Sequence, residues 1–327
     1  MGPRAGTARS FSMADDLAHA AFVFPGQGSQ RVGMGRALAE AVPAAAAVFA
    51  EADEILGTAL SRLCWEGPEP ELNDTLNTQP ALLVHSVAIL RALEAHGFPT
   101  RPAFVAGHSL GEFSALVAAG ALSFHEALRL VRERGRVMKD AGLRRPGGMA
   151  AVLGSAVDVV DEACRRAREA TGAPVEVAND NCPGQVVISG AEAALAAATE
   201  QLQAMGARRV IRLAVSIAAH SSLMAPAQET FRQALAATQF NDPRLTVIGN
   251  VQASSLDTSA EIRADLEAQL TSRVRWTESV RAMVAAGVTA FFEVGTGEVL
   301  SGLIRRTDSS VRVHALDQPA SFAPLAA

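Results

Sequence analysis

The segment GHSLG at residues 107–111 constrains the fold of this sequence more than any other feature. It directly follows a short apolar run, residues 103–106, and directly precedes a helical run, residues 112–119. A G-x-S-x-G segment between a strand and a helix is typical of a sharp turn that exposes a serine at the end of a parallel strand. The helix after the turn directs backbone N–H groups and its dipole toward developing negative charge. The segment therefore predicts an α/β fold in which Ser109 is a nucleophile.

Strands and helices alternate through the first half of the chain. The apolar run at residues 21–24 is stopped by Pro25-Gly26 and is typical of a buried strand. Helical patterns cover residues 35–56, 79–96 and 124–141. This alternation predicts a parallel sheet covered by helices.

The pattern changes after residue 147. From there to residue 215 the predicted elements are strand, helix, strand, strand, helix and strand, which is the order of a ferredoxin-like unit. We therefore predict a discontinuous main body, residues 18–145 and 215–320, interrupted by a ferredoxin-like subdomain at residues 146–214. A chain of 327 residues has the length for about two such units. Residues 1–17 are predicted to be a disordered leader.

The composition excludes several kinds of chemistry. The sequence has no tyrosine, and Lys139 is its single lysine, so 28 of the 29 basic residues are arginines. Because Asp140 follows Lys139, a Walker A loop is excluded. A net charge of −5 argues against nucleic acid as a partner, and no apolar run approaches the ~20 residues of a membrane span. The sequence therefore favours a cytoplasmic enzyme that holds anions with arginine or histidine.

The three cysteines predict neither a metal site nor a disulfide. Cys64, Cys164 and Cys182 are far apart, form no C-x-x-C pair and are accompanied by no H-E-x-x-H motif. We expect three buried, inert thiols and no bound metal.

A nucleophilic serine needs a base, and seven histidines supply the candidates. His85 and His96 lie on, or at the end of, a helix that we expect at the surface. His108 adjoins the serine, and its side chain is expected to point the other way. His220 lies where the chain leaves the predicted subdomain and re-enters the main body. Loops between domains are where an active-site base is expected, so we favour His220 over His314.

A second glycine-rich loop, PGQGSQ at residues 25–30, follows the first strand. Arg31 holds the place of the third glycine of G-x-G-x-x-G, so the loop is a poor match to a dinucleotide-binding loop. At the carboxyl end of a parallel strand it is expected beside Ser109. One of its backbone N–H groups is a candidate to complete an oxyanion hole with that of Leu110. A simple tight turn is the alternative.

Several motifs carry a resemblance to a known family. In chain order they are FVFPGQGSQ (22–30), TQPAL (78–82), GHSLGE (107–112), RG (134–135), NCPGQVVI (181–188), VSIAAHSSLM (215–224) and VRW (274–276). Their order and spacing resemble those of malonyl-CoA:acyl carrier protein transacylases, which belong to the acyltransferases of fatty-acid and polyketide synthesis. The resemblance extends over residues 21–315. It implies an α/β fold with an α/β-hydrolase-like parallel sheet core and an inserted ferredoxin-like subdomain.

The resemblance implies roles for individual residues. Ser109 matches the family nucleophile, which carries the acyl group as an ester, and His220 matches the family base. Arg134 matches the arginine that pairs with the free carboxylate of the malonyl group. The backbone amides of Gln27 and Leu110 match the oxyanion hole. Without the resemblance, Arg134 is better interpreted as one of several arginines on a surface helix.

Four further positions match residues around the family's acyl pocket. Gln269 matches a glutamine whose carbonyl oxygen orients the histidine. Gln79 and Asn181 are candidate pocket residues. Ala219 stands where related sequences carry Ser or Phe beside the acyl pocket, so a branched extender such as methylmalonyl is an alternative to malonyl.

The activity that the resemblance implies is a two-step transfer. A malonyl group passes from malonyl-CoA to Ser109, and from Ser109 to the phosphopantetheine thiol of acyl carrier protein, supplying extender units for fatty-acid or polyketide synthesis. Coenzyme A is then a substrate, and no cofactor is expected. The alternative is a serine hydrolase or thioesterase, which shares the serine and histidine but retains an acidic partner for the histidine.

Carrier proteins are acidic, so a basic docking patch is expected despite the negative net charge. The enzyme is also expected to be a monomer. Two arginine pairs are the candidates for this patch: Arg208 with Arg209, and Arg305 with Arg306. Solvated helix or strand ends are the alternative interpretation of these pairs.

Overall fold

A six-stranded, mostly parallel sheet forms the centre of the structure, a computed structural model that describes residues 17–215 and 217–325. Numbered along the chain, its strands are β1 (Ala20–Phe24), β2 (Phe104–Gly107), β7 (Thr246–Ile248), β8 (Ser255–Leu256), β9 (Ala290–Val294) and β10 (Arg312–Leu316). Their order is β10-β9-β1-β2-β7-β8, and β8 alone among these described strands runs antiparallel to its neighbour. The predicted parallel sheet is confirmed.

Both faces of this sheet are covered. All five residues of β1 are buried, as expected for a parallel strand between two layers of helices. Phe22 and Phe24 pack into one apolar core, whereas Ala21 and Val23 pack into a second core on the other face. The apolar run therefore reflects burial on both sides rather than an alternating pattern.

The helices of the main body fall into two groups along the chain, one before and one after the segment that forms the second sheet. The first group is α1 (Arg36–Ala41), α2 (Pro43–Leu56), α3 (Leu60–Glu66), α4 (Glu69–Leu72), α5 (Thr75–Ala95), α6 (Gly111–Ala118) and α7 (Phe124–Arg144). The one helix predicted over residues 35–56 is two helices, because Pro43, which has no backbone N–H, is the first residue of α2. Within the described residues, no helix has the length and apolarity that crossing a membrane requires.

Helix α5 is buried along most of its length, so the expectation that His85 lies on a surface helix is wrong. The helix packs against α2, α6 and α7. His85 is 0% exposed, and its Nε2 donates to the carbonyl oxygen of Asp317 at 3.1 Å. Apolar residues surround α5 instead of forming one stripe, and such a helix is a core helix rather than a surface one.

A second, four-stranded sheet is formed within residues 148–212. Its elements are β3 (Gly148–Leu153), α8 (Val157–Thr171), β4 (Val175–Cys182), β5 (Gln185–Gly190), α9 (Glu192–Ala204) and β6 (Arg209–Arg212). The strands are antiparallel in the order β4-β5-β3-β6, which is the ferredoxin-like arrangement. The fold class expected from the sequence is confirmed. The domain boundaries stay a prediction; of the predicted leader, residues 1–16 lie outside the described residues, and Leu17 is buried.

The chain then returns to the main sheet through the remaining helices, α10 (Ala225–Ala237), α11 (Ser259–Gln269), α12 (Trp276–Ala285) and α13 (Val299–Thr307). Strand β4 is joined to the segment before α12, since Asp180 N donates to Val274 O at 2.9 Å and Val274 N donates to Ala178 O at 2.8 Å. Asn181, near the end of β4, also contacts His108, so the end of β4 lies beside the carboxyl end of β2, where the predicted nucleophile is found.

Candidate active site

Ser109 lies on a strained turn between β2 and α6. Its φ is 51°, a left-handed backbone conformation that is unusual for a residue other than glycine. The flanking glycines allow the turn to close: a Cβ at Gly107 would lie 1.9 Å from the carbonyl carbon of Gly111, and a Cβ at Gly111 would lie 2.0 Å from the carbonyl oxygen of Phe24. Strain of this kind is concentrated at functional sites. The turn predicted from the G-x-S-x-G pattern is present.

Asn250, two residues beyond β7, holds this turn in place and was not anticipated from the sequence. Its Oδ1 accepts a hydrogen bond from Ser109 N at 2.7 Å, and its Nδ2 donates to Gly107 O at 2.7 Å. The side chain is 1% exposed and satisfies two buried backbone groups that the turn leaves without partners. Its position just past a parallel strand next to β2 is the sequence signal that points to it.

His220 lies beside the serine, in a loop that precedes a short 3₁₀ turn, Ser222–Met224. Its Nε2 is 2.8 Å from Ser109 Oγ. Its Nδ1 donates to two backbone carbonyl oxygens, that of Gln269 at 2.9 Å and that of Ser272 at 3.1 Å. Two acceptors at Nδ1 fix the proton there, which leaves Nε2 free to accept the serine proton. The other candidate, His314 in β10, stacks on Phe292 in β9.

The pKa of His220 is lowered to about 3, first by burial and then by the positive charge of Arg134. Its side chain is 4% exposed. The imidazole is therefore neutral near pH 7, which is the protonation state that a general base requires.

Arg134 is a buried cation that lies beside Ser109 and His220. It projects from α7, is 2% exposed, and its Nη2 donates to Ser109 Oγ at 3.0 Å. Nη2 also donates to Gln269 Oε1 at 2.8 Å, and Nη1 donates to Gln79 Oε1 at 2.9 Å. Burial lowers the pKa of Arg134 to about 10, so the guanidinium remains charged at neutral pH. The interpretation of Arg134 as a surface arginine, which the sequence favours when the family resemblance is left aside, is therefore wrong.

The hydrogen-bond partners of Arg134 are the hydroxyl of Ser109 and two neutral amides, and among the described residues no carboxylate forms a salt bridge with it. A buried charge is costly unless an opposite charge compensates it. The guanidinium faces the serine that would carry the acyl group. The arrangement is therefore suited to a ligand whose own carboxylate supplies the missing partner.

The predicted oxyanion and pocket residues adjoin this centre. A Cβ at Gly26 would lie 2.4 Å from the carbonyl oxygen of His108, which places the loop containing Gln27 against the serine turn. Gln27 Oε1 accepts from Thr75 Oγ1 at 2.8 Å. Leu110 precedes the first turn of α6, where backbone N–H groups point toward the helix N-terminus. The two predicted donors of the oxyanion hole thus come from neighbouring loops.

The other predicted pocket residues occupy different places. Asn181 accepts a hydrogen bond from His108 Nε2 at 2.8 Å, so His108 is directed away from the serine, as expected. Gln79 is 0% exposed and contacts Arg134, as described above. Ala219 is partly buried between two apolar clusters. Gln269 contributes its backbone carbonyl to His220 and its side-chain carbonyl to Arg134.

Four exposed arginines are predicted to form a docking patch, and one of each pair lies near the same hairpin turn: Arg208, Arg209, Arg305 and Arg306. Arg306 Nη1 donates at 2.6 Å to Gln185 Oε1, in the turn between β4 and β5. Arg208 lies beside Gly154, whose N–H donates to Gly184 O in that same turn at 2.9 Å. The fold thus brings together two pairs that are far apart in the sequence.

The three cysteines, Cys64, Cys164 and Cys182, are buried and free. Burial raises the pKa of Cys64 and of Cys164 to about 12, so these thiols are protonated at neutral pH.

A serine, a neutral histidine and a buried arginine at the carboxyl edge of a parallel sheet define an enzyme of serine-based acyl transfer. Comparison with known proteins agrees: the model of the acyl transferase domain matches residues 21–321. The chain belongs to the acyl transferase family.

Curated relatives cover nearly the whole chain. A malonyl CoA-acyl carrier protein transacylase of Bacillus subtilis is 46% identical over 299 residues, which are 91% of this chain and 93% of the relative. The protein of the same name from Escherichia coli K12 is 44% identical over 303 residues, 93% of this chain and 97% of the relative.

Solved structures show the same fold. An acyl carrier protein S-malonyltransferase from Vibrio cholerae superposes with a TM-score of 0.90 at 42% identity, covering 94% of this chain and 99% of that one. A malonyl-transacylase in complex with its type II PKS acyl-carrier protein also gives a TM-score of 0.90, at 41% identity, covering 94% and 98% of the two chains.

Proposed function

We propose that the protein transfers a malonyl group from malonyl-CoA to the phosphopantetheine thiol of acyl carrier protein through an ester on Ser109. The observation that carries this proposal is the meeting of three groups at one oxygen. Ser109 Oγ lies 2.8 Å from His220 Nε2 and 3.0 Å from Arg134 Nη2. A nucleophile, its base and a cation for a substrate carboxylate are thus within hydrogen-bonding distance of one another.

In the first step the free carboxylate of malonyl-CoA pairs with Arg134. This pairing offsets the positive charge of Arg134, which is one of the causes that lower the pKa of His220, so the base becomes stronger once the substrate is bound. His220 Nε2 then takes the Ser109 proton while Oγ attacks the thioester carbonyl carbon. The backbone N–H groups of Gln27 and Leu110 hold the oxyanion. The carbon–sulfur bond breaks, and the CoA sulfur leaves with the proton from His220.

The second step repeats the chemistry with a different thiol. The carrier protein's thiol gives its proton to His220 and attacks the malonyl ester carbonyl. The bond between the carbonyl carbon and Ser109 Oγ breaks, and Oγ recovers the proton from His220. The enzyme returns to its starting state, and no resident cofactor takes part in either step.

A serine hydrolase is the competing function, and the surroundings of His220 do not favour it. A hydrolase of the Ser-His-Asp type places a carboxylate on the second histidine nitrogen. Here Nδ1 donates to the backbone carbonyls of Gln269 and Ser272. A hydrolase also has no use for a buried arginine at its serine.

Exchange of label between malonyl-CoA and free CoA, without carrier protein, tests the proposed function. An ester intermediate predicts exchange that requires Ser109 and His220, and parallel double-reciprocal plots when malonyl-CoA and carrier protein are varied together. Exchange that depends on carrier protein, or intersecting plots, would contradict the two-step transfer.

The preference for malonyl over a branched acyl group, at the pocket position occupied by Ala219, is tested by measuring rates with malonyl-CoA and methylmalonyl-CoA side by side. Malonyl-CoA is expected to be the faster substrate.

We propose that acyl carrier protein docks on the patch formed by Arg208, Arg209, Arg305 and Arg306. The β4–β5 turn at this patch begins one residue after Cys182, and Asn181 already contacts His108 beside the nucleophile. A carrier protein seated on the patch is therefore near the mouth of the active site. A monomeric state and a cytoplasmic location stay predictions.

A further inference from the structure

Two carboxyl groups are buried directly behind the active-site residues. Glu112, in the first turn of α6, is 0% exposed, and Asp265, in α11, is 7% exposed. The two carboxyl groups lie side by side, since they accept hydrogen bonds from consecutive backbone N–H groups, those of Asn250 and Val251. Gly249 provides the room for this contact, because a Cβ there would lie 2.7 Å from Asp265 Oδ1. The catalytic steps proposed above use neither group.

The hydrogen bonds of the pair account for all but two of its oxygens. Glu112 Oε2 accepts from Gln269 Nε2 at 3.0 Å and from Asn250 N at 3.2 Å, and Asp265 Oδ1 accepts from Val251 N at 3.2 Å. Among the described residues, Glu112 Oε1 and Asp265 Oδ2 are buried without a donor from any other group. One proton between these two oxygens satisfies both.

The proton belongs on Glu112. Burial and then the negative charge of Asp265 raise the pKa of Glu112 well above its ordinary value. Burial also raises the pKa of Asp265, but hydrogen bonds from Glu112 and from backbone N–H groups act in the opposite direction. Glu112 is then a neutral acid whose hydroxyl donates to the Asp265 carboxylate.

This assignment completes a chain of hydrogen bonds from a buried cation to a buried anion. Arg134 Nη2 donates to Gln269 Oε1 at 2.8 Å, Gln269 Nε2 donates to Glu112 Oε2 at 3.0 Å, and Glu112 donates to Asp265. Every donor points in the same direction, so neighbouring bonds strengthen one another. The amide of Gln269 is held in one orientation, while its backbone carbonyl accepts the proton of His220 Nδ1.

We propose that Glu112, held as a neutral acid by Asp265, is a positioning residue that fixes Gln269 and through it both Arg134 and His220. Among the described residues, Arg134 from α7 is a charged group that interacts with Glu112, and His220 lies beyond Gln269, to whose backbone carbonyl it donates. The kinetic part of the test rests on the proposed malonyl transfer, whereas the spectroscopic part does not.

Difference infrared spectroscopy tests the protonation directly. The full-length protein at neutral pH is compared with the Glu112→Gln variant, and Glu126→Gln, at a partly exposed residue in the first turn of α7, is the matched control. We expect the carbonyl stretch of a protonated carboxylic acid in the wild type and in the control, and its loss in Glu112→Gln. Absence of this band from the wild type would overturn the proposal, whatever reaction the enzyme catalyses.

Kinetics separate positioning from simple packing. A glutamine at residue 112 has an NH₂ group to donate to Asp265 and a carbonyl to accept from Gln269, so it reproduces the chain of hydrogen bonds. Glu112→Gln is expected to lose less than about tenfold in kcat, whereas Glu112→Leu, which leaves Gln269 without its acceptor, is expected to lose about 100-fold. An equal loss in both variants would overturn the neutral-acid role. If the leucine variant does not fold, the kinetics of the glutamine variant and the infrared band still test whether Glu112 is a neutral acid that positions Gln269.

Discussion

Arg134 and Ser109 are in direct contact, with the guanidinium Nη2 3.0 Å from the serine Oγ. In a malonyl thioester a single methylene separates the free carboxylate from the reacting carbonyl. A carboxylate held by Arg134 therefore places that carbonyl at the serine and nowhere farther away. Selection of the acyl group and positioning of the reacting atom are then performed by the same contact.

Replacing Arg134 with alanine is expected to slow transfer of malonyl groups but not transfer of acetyl groups. Loss of one partner of a buried charge pair costs about 2–5 kcal/mol, which is about 30-fold to 5,000-fold in kcat/KM for malonyl-CoA. Acetyl-CoA has no carboxylate to lose, so its transfer is expected to stay the same or improve. Initial rates with both thioesters check this expectation, and equal losses on the two substrates would remove Arg134 from carboxylate binding.

The pH dependence of acyl transfer is expected to report the charge of Arg134. Because the pKa of His220 is lowered to about 3, the base remains neutral as the pH falls through the ordinary histidine value of 6.5. The acid limb of kcat/KM for acetyl-CoA is therefore expected below pH 6.5 in the wild type. In Arg134→Ala one lowering cause is gone, so the limb is expected at higher pH. A limb that stays in place would show that the guanidinium does not act on His220.

Asn250 is expected to matter for both stability and rate. Asn250→Ala removes the acceptor for Ser109 N and the donor for Gly107 O. Two buried backbone groups without partners cost about 1–3 kcal/mol each, and the strained turn loses its support. Urea unfolding measures the first effect and kcat the second. Asn241→Ala, at an exposed position, is the control and is expected to change the free energy of unfolding by less than about 0.5 kcal/mol.

Charge reversal of the docking patch is expected to affect one substrate only. Changing Arg208, Arg209, Arg305 and Arg306 to glutamate is expected to raise the KM for carrier protein far more than that for malonyl-CoA, with the difference greatest at low salt. The control reverses four exposed arginines on other helices: Arg36, Arg62, Arg91 and Arg232. If both sets raise the KM for carrier protein equally, net charge rather than this patch directs docking.

Short sequence patterns predict most of the architecture of this fold. The strand, turn and helix around Ser109 are encoded within about fifteen residues, and the ferredoxin-like order appears as a succession of short elements. The buried position of α5 is not apparent from the sequence, because a helix that is apolar all round has no single face that indicates its neighbours.

The polar interior of the site was harder to predict because its contacts join distant parts of the chain. Asn250 acts on Ser109 across 141 positions, and Gln269 reaches Glu112 across 157. A buried carboxyl such as Glu112 looks in the sequence like any acidic residue in the first turn of a helix, where acidic residues are common. Arg134 likewise stands among other arginines on α7, and only the fold shows which of them is buried.

Intact-mass spectrometry after mixing with malonyl-CoA, without carrier protein, tests the central claim most directly. We expect one malonyl group per chain, located on the peptide that contains Ser109, absent from Ser109→Ala and discharged when phosphopantetheinylated carrier protein is added. Release of free malonate without an adduct, or an adduct that persists in Ser109→Ala, would contradict acyl transfer through this serine.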